Sequence, residues 1–267
     1  MNIGFIGCGN MAQAMIGGII NAKYVLSENI IASNPTNGKL QLVKDKDNIL
    51  TTLHNTEVAK FSDIIVLSVK PNKYESVINE IKDCIKPTAV IVAIAAGIST
   101  SFMEKAFGKI VKLARAMPNT PALVGEGMSA LSFNAHVSLE EKLEVIKIFE
   151  SFGKVETLEE SLMDAVPAIS GSSPAYVFMF IEALADGAVL SGIPRDKAYK
   201  MAAQSVLGAA KMVLETGKHP GELKDNVCSP GGTTIEAVYT LENNNFRGTI
   251  ISAMESCTAK AKKMSQK

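Results

Sequence analysis

The tightest constraint on this chain lies in its first dozen residues. "NIGFIG" is an apolar run of strand length, and Gly7-Cys8-Gly9-Asn10-Met11-Ala12 follows it at once, opening a segment with Met11, Met15 and Ile19 on one helical face. In a GxGxxA loop placed between strand and helix, the first glycine permits the tight turn, the second lets a pyrophosphate approach the backbone, and the alanine lets helix and strand pack closely. Gly7, Gly9, Asn10 and Met11 are therefore the first candidate cofactor contacts. A merely tight strand-to-helix turn would use the same residue types, and it is the loop's position directly after a first strand that favours the dinucleotide.

The rest of the first 160 residues fits that beginning. Apolar runs such as "NIIAS", "DIIVLSV", "AVIVAIAAG" and "KIVKLARAMP" alternate with helix-like segments. This alternation predicts parallel strands with helical crossovers covering both faces, a Rossmann-type α/β domain over 1–160. "GMSALSFN" reads as a further strand, and Leu139, Leu143 and Ile146 mark the apolar face of a helix running toward Phe152.

From about Ser161 strand-like runs vanish and helical periods take over. A chain of 267 residues fits two domains of about 100 to 200 residues each, so 161–267 is expected to be an all-helical second domain. Its segment 174–192, "PAYVFMFIEALADGAVLSG", is apolar nearly all round, with Glu182 and Asp186 on one face. So little polar surface predicts burial on several sides, and one small domain cannot provide that; a partner subunit is expected to cover it. Ala198, Ala202, Ser205, Ala209 and Val213 form a narrow face of small residues, and Ile250, Met254, Cys257 and Ala261 a last stripe.

The end of the second strand usually discriminates between the nicotinamide dinucleotides, because an acid there binds the ribose hydroxyls and repels a 2′-phosphate. Here the residues are Ser33, Asn34, Pro35 and Thr36, and none is acidic. Ser33, Asn34 and Thr36 can hydrogen-bond a phosphate and Lys39 adds charge, so NADPH is the expected cofactor, with NADH still open; the same residues are also ordinary turn formers. Two later loops leave strand ends where open parallel sheets bind ligands, Val69-Lys70-Pro71 and Ala95-Ala96-Gly97. Small residues in the second leave room for a nicotinamide ring, and Lys70 is either a phosphate ligand or a surface lysine before a helix-starting proline. Asn119 in "MPNTP" either brings an amide near the ring or caps a turn.

A second glycine-rich turn, "DNVCSPGGTTI", precedes Ile235, Val238 and Leu241, which read as the buried face of a helix. The backbone N–H groups of Gly231, Gly232, Thr233 and Thr234 thus stand at a helix N-terminus, where anions bind. A threonine-capped helix start without a ligand explains the same residue types.

Composition narrows the partners. Twenty-seven basic residues balance twenty-seven acidic ones, leaving no field for a nucleic acid or an anionic membrane surface. No uninterrupted apolar run reaches the roughly 18 residues of a membrane span, and the N-terminus lacks the pattern of a signal peptide, so the expectation is a cytoplasmic protein bound to neither membrane nor nucleic acid. Cys8, Cys84, Cys228 and Cys257 are scattered, which predicts reduced thiols and no metal site.

Taken in order, "GFIGCGNMA", "VKP", "AAGI", "AMPNTP", "AISGSSPAYVFMFIEALADGAVLSGIPRDKAYKMAAQSVLGAAKM" and "HPGELKDNVCSPGGTTIEAVYTLE" resemble the pyrroline-5-carboxylate reductase family along essentially the whole chain. The resemblance implies NAD(P)H-dependent reduction of the cyclic imine 1-pyrroline-5-carboxylate to L-proline, the last step of proline biosynthesis. It also implies intertwined homodimers that assemble into larger rings, up to a decamer. By similarity, Thr234 contacts the substrate ring nitrogen and the backbone from Ser229 to Thr233 receives the carboxylate. Imine reduction needs a hydride donor, a protonated or hydrogen-bonded nitrogen and positioning, but neither a metal nor a nucleophile. A β-hydroxyacid dehydrogenase shares the two-domain plan but needs an interdomain lysine, and none occurs between Lys154 and Lys197. A dinucleotide-binding regulator would have no reason to keep "SPGGTT".

Overall fold

The computed structural model describes residues 1–265. The apolar runs become the parallel strands β1 (Ile3–Ile6), β2 (Ile30–Ser33), β4 (Ile64–Leu67) and β5 (Val90–Ala93), each buried along its whole length, with a short β3 (Leu50–Thr52) beside β2. Strands covered on both faces carry no polar alternation, which is why they read as unbroken apolar segments. The helices between them are α1 (Asn10–Asn21), α2 (Asn37–Asp47), α3 (Asn55–Phe61), α4 (Tyr74–Ile81) and α5 (Thr100–Phe107). Ile3 and Phe5 enter one core with Met15, Ile16 and Ile19 of α1, while Ile6, Ile65 and Leu67 enter a second with Tyr74, Ile78 and Ile81 of α4.

The eight strands are ordered β3-β2-β1-β4-β5-β6-β7-β8, with β6 (Lys112–Met117) parallel to β5. β7 (Gly127–Phe133) returns antiparallel to β6, and β8 (Gly153–Thr157) lies parallel to β7 after α6 (Leu139–Glu150). The chain turns outward in both directions from β1 and β4, so a crevice opens at the carboxyl ends of those two strands, the place where doubly wound sheets bind ligands.

The expected face of α6 is corrected. Leu139 is 75% exposed and Leu143 49%, and the helix buries Val145, Ile148 and Phe149 instead. The reason is rotational phase. A Ser138–Glu141 capping box fixes the helix start, and the Phe149–Phe152 ring pair at 5.2 Å fixes its end, turning Leu139 and Leu143 outward.

After a π-helical turn, Pro167–Gly171, every remaining element is an α-helix: α7 (Ser173–Leu190), α8 (Arg195–Thr216), α9 (Pro220–Val227), α10 (Thr233–Asn243) and α11 (Phe246–Ser265). By packing, Met1–Ser172 and the chain from Cys257 onward form one compact unit and Ser173–Ser256 a second. This division falls later than the change of periodicity at 160/161, because Glu160, Asp164 and Ser170 bond to Thr100, Arg115 and Asn119 of the first unit.

Within the second unit α7 and α8 pack together, burying Ala185, Ala198 and Ala202, whereas Ser205, Ala209 and Val213 are exposed. Ile235 and Leu241 are exposed and Val238 only half-buried, so the buried face expected for α10 does not form within one chain. On α11 the expected stripe is exposed at Ile250, half-buried at Met254 and Cys257, and buried at Ala261. Apolar surface on this scale marks a face that another chain covers. The helical stretch Pro167–Leu190 is also long and apolar enough to cross a bilayer by length and composition, but Glu182 and Asp186 interrupt it, so it is not an uninterrupted apolar run of that length.

Candidate active site

The first glycine turn sits at the head of the crevice. Gly7 has φ +95, a conformation L side chains rarely adopt, and a Cβ there would lie 2.6 Å from the Ser68 carbonyl oxygen. Its N–H donates to the Ser33 carbonyl at 2.9 Å, and Ser68 Oγ donates to the Gly7 carbonyl at 2.6 Å, so the turn is stitched to the ends of both neighbouring strands. Gly9 is the N-cap of α1 in extended conformation, no side chain caps the helix, and a Cβ built on Gly9 would meet nothing within 4 Å. Free first-turn amides of Asn10 and Met11 beside open space fit a dinucleotide pyrophosphate. Burial pushes the Cys8 thiol up to about 11 despite the nearby Lys39, so this cysteine stays a neutral packing residue.

Asn34 locks the turn to the second strand. Its Oδ1 accepts from the Cys8 N–H at 3.3 Å, and its Nδ2 donates to the Thr36 carbonyl and hydroxyl, both at 3.1 Å. Thr36 and Lys39 are exposed beside it. Ser33 departs from expectation: it is fully buried and donates its hydroxyl to Asn55 Oδ1 at 2.7 Å, because the last residue of a central strand turns alternate side chains into the domain. Val69 is half-buried, while Lys70 and Pro71 are exposed at the start of a short helical turn, Pro71–Lys73.

Ala95, Ala96 and Gly97 are half-buried after β5. They are held by Tyr74, the first residue of α4. Tyr74 is fully buried; its hydroxyl donates to the Leu67 carbonyl at 2.6 Å and accepts from the Ile94 and Ala95 amides, both at 3.2 Å. Burial raises its pKa, so it remains a neutral phenol able to do both. A tyrosine at the first position of an amphipathic helix is the available signal, since a buried phenol seeks a polar partner.

Asn119 also departs from expectation. It is buried, Nδ2 donates to the Ser170 carbonyl at 3.0 Å, and Oδ1 accepts from the Met128 amide at 2.8 Å. With both ends of the amide engaged, the side chain is a structural tie between β7 and the Pro167–Gly171 turn rather than a contact for a ring. Among the described residues, no group of three or more His, Cys, Asp or Glu side chains is placed to hold a metal ion.

The second glycine turn belongs to the other unit. Gly231 has φ +69, Gly232 is the N-cap of α10, and its N–H donates to the Ser229 carbonyl at 3.0 Å. Thr233 and Thr234 are the first two helical residues, so neither is the N-cap, and among the described residues neither hydroxyl has a hydrogen-bond partner. The alternative of a threonine-capped helix start is thereby removed. What remains is an uncapped helix N-terminus carrying a half-buried, unpartnered Thr234 hydroxyl.

Residues 160–264 match a family model described as pyrroline-5-carboxylate reductase dimerisation, and residues 2–97 match one described as NADP oxidoreductase, coenzyme F420-dependent. The chain is 50% identical over 264 residues to the pyrroline-5-carboxylate reductase of Escherichia coli, covering 99% of this chain and 98% of that protein. A pyrroline-5-carboxylate reductase structure from Coxiella burnetii superposes with a TM-score of 0.93 at 37% identity, covering 99% of this chain and 98% of that one. One from Plasmodium falciparum with NADP bound gives 0.89 at 36% identity, with the same two coverages.

Proposed function

The chain belongs to the pyrroline-5-carboxylate reductase family and catalyses NAD(P)H-dependent reduction of 1-pyrroline-5-carboxylate to L-proline, the last step of proline biosynthesis; from that premise we propose how its two glycine turns divide the work. The turn at 7–11 holds the pyrophosphate through backbone amides, Asn34 and Thr36 receive a 2′-phosphate with Lys39 and Lys70 nearby, and Val69, Pro71 and the Ala95–Ala96–Gly97 loop border the nicotinamide ribose and ring. When bound, the reduced dinucleotide supplies the hydride. The absence of an acid after β2 makes NADPH the preferred form, with NADH a slower alternative.

The observation that carries the substrate assignment is the uncapped, unpartnered start of α10. Its backbone amides from Ser229 to Thr233 receive the carboxylate, and Thr234 Oγ1 donates to the ring nitrogen, whose basicity rises as C=N becomes C–N. Region 161–267 joins the chain into a homodimer that builds further to a decamer, and the protein works in the cytoplasm without membrane or nucleic acid. Mixing the protein with 1-pyrroline-5-carboxylate and either NADPH or NADH, while following cofactor absorbance, tests the reading. Reduction to proline, with cofactor oxidation faster for NADPH than for NADH, is expected; equal catalytic efficiencies would overturn the preference.

A further inference from the structure

We infer that Arg115 is a positioning residue, which through Glu160 and Asp164 fixes the Ala95–Ala96–Gly97 loop from two sides. Arg115 lies in β6 with its side chain only 7% exposed, a buried cation in a strand that is otherwise apolar after Lys112. Its Nη2 donates to Asp164 Oδ1 at 2.5 Å, and its Nη1 stands 3.8 Å from Glu160 Oε1. Both carboxylates are then used again, each toward the loop.

Glu160 Oε1 accepts from the backbone N–H of Thr100 at 2.7 Å, and the Thr100 hydroxyl donates to Glu160 Oε2. Thr100 is the first residue of α5, three positions beyond Gly97, so Glu160 anchors the downstream end of the loop. Asp164 Oδ1 accepts from Ser265 Oγ at 2.8 Å in the last turn of α11. The adjoining Met264 packs on Gly97 so closely that a Cβ there would lie 3.0 Å from Met264 Cβ and 3.1 Å from its carbonyl carbon. Asp164 therefore anchors what covers the loop.

Packing alone does not hold this loop on its outer flank. A cavity of about 330 Å³ opens there, bordered by Pro71, Glu75, Ala96, Phe102 and Met264. A buried guanidinium is tolerated only while its carboxylates stay in place, so the cluster cannot relax into that space without leaving a charge unpaired. The brace thus holds the loop where the packing is loose.

This inference rests on the proposal that the loop borders the nicotinamide end of the cofactor. The test uses the full chain with Glu160→Gln, Asp164→Asn, Ser265→Ala and Ser265→Thr, reading steady-state kinetics, thermal midpoint and hydrogen exchange at 94–100 with and without NADP+. Glu160→Gln and Asp164→Asn are expected to raise KM for NADPH by about 2- to 30-fold, the range for a network residue acting through its neighbours, with KM for 1-pyrroline-5-carboxylate unchanged. Exchange at 94–100 should quicken in the cofactor-free variants. Ser265→Ala should move both readouts the same way by less, and Ser265→Thr should restore them. If NADP+ does not slow exchange at 94–98 in the unmodified protein, the reading of the loop fails and the inference with it. If it does, but the folded carboxamide variants keep normal exchange and cofactor KM, the brace alone is wrong. Should those variants fail to fold, the Ser265 pair decides: equal behaviour of Ala and Thr overturns the inference.

Discussion

The Tyr74 hydroxyl accepts a hydrogen bond from the Ala95 amide at 3.2 Å, tying the first residue of α4 to the loop after β5. Tyr74→Phe would keep the ring's packing yet leave the Ile94 and Ala95 amides and the Leu67 carbonyl without that partner. A buried amide left unsatisfied costs about 1–3 kcal/mol. We expect an unfolding free energy lowered by that amount, read as a lower denaturation midpoint, together with weaker NADPH binding; a normal midpoint and normal KM would remove Tyr74 from the site.

Asn34→Asp tests cofactor choice with little structural disturbance. The new carboxylate still accepts from the Cys8 N–H, so the glycine turn keeps its tie, while the donor to Thr36 is lost and a negative charge faces the 2′-phosphate. The ratio of NADPH to NADH efficiency should fall by roughly 10-fold, about 1.4 kcal/mol of repulsion at a partly solvated position. An unchanged ratio would place the 2′-phosphate elsewhere.

These two residues also mark how far the sequence reaches. The 7–12 turn was legible because its logic is local: strand, glycines and helix are contiguous, and the loop tolerates few alternatives. The change to helices after 160 was legible for the same reason. Tyr74 and Arg115 were not, because the groups that give them meaning lie 21 and 49 residues away, at Ala95 and Asp164. Ser33 and Asn119 misled because donor-rich side chains at a strand end serve internal ties as readily as ligands. The stripe Ile235, Val238 and Leu241 of α10 is legible as an apolar face, but the expected burial does not form within one chain, since periodicity identifies a face and is silent on what covers it.

Asp164 gives a pH prediction. Burial alone would raise its pKa, but hydrogen bonds from Arg115 and Ser265 outweigh that and hold it below the ordinary 3.8. A carboxyl with a depressed folded-state pKa adds stability above its unfolded value, and the addition is lost as pH falls through the folded value. The stability gap between the unmodified protein and Asp164→Asn should therefore be full at neutral pH and close below about pH 4. A gap that persists undiminished in acid denaturation series would contradict the ion pair.

The exposed apolar side of α7 predicts an obligate dimer. Phe178 is 62% exposed and Met179 68%, in a helix whose one buried residue is Ala185. Covering a phenylalanine contributes about 1.5–3 kcal/mol, counted twice in a twofold interface. Phe178→Asp should shift sedimentation toward monomer and lose activity in parallel, and an active monomer at low concentration would refute the idea.

Thr234 offers the strictest test of the substrate assignment. It is the second residue of α10, behind a glycine N-cap that leaves the first-turn amides without a side-chain acceptor, and its own hydroxyl has no partner among the described residues. A hydroxyl so placed is free to donate to the imine nitrogen while the amides hold the carboxylate, which fixes the C=N carbon for reduction. Thr234→Ala should lower kcat by about 10- to 1000-fold, the loss of one positioned hydrogen bond of about 1.4–4 kcal/mol at the transition state. KM for NADPH should barely change, because the contacts proposed for it lie in the turn at 7–11, beyond β2 and in the loops after β4 and β5, none of which includes Thr234. Thr234→Ser keeps the hydroxyl and should keep most activity. Thr233→Ala keeps the backbone N–H and alters only an exposed side chain, so it should behave as the unmodified protein. Helix stability separates chemistry from folding: neither hydroxyl caps α10, so both alanine variants should unfold at nearly the same temperature. Greater damage from Thr233→Ala, or wild-type turnover in Thr234→Ala, would assign the ring nitrogen to another group.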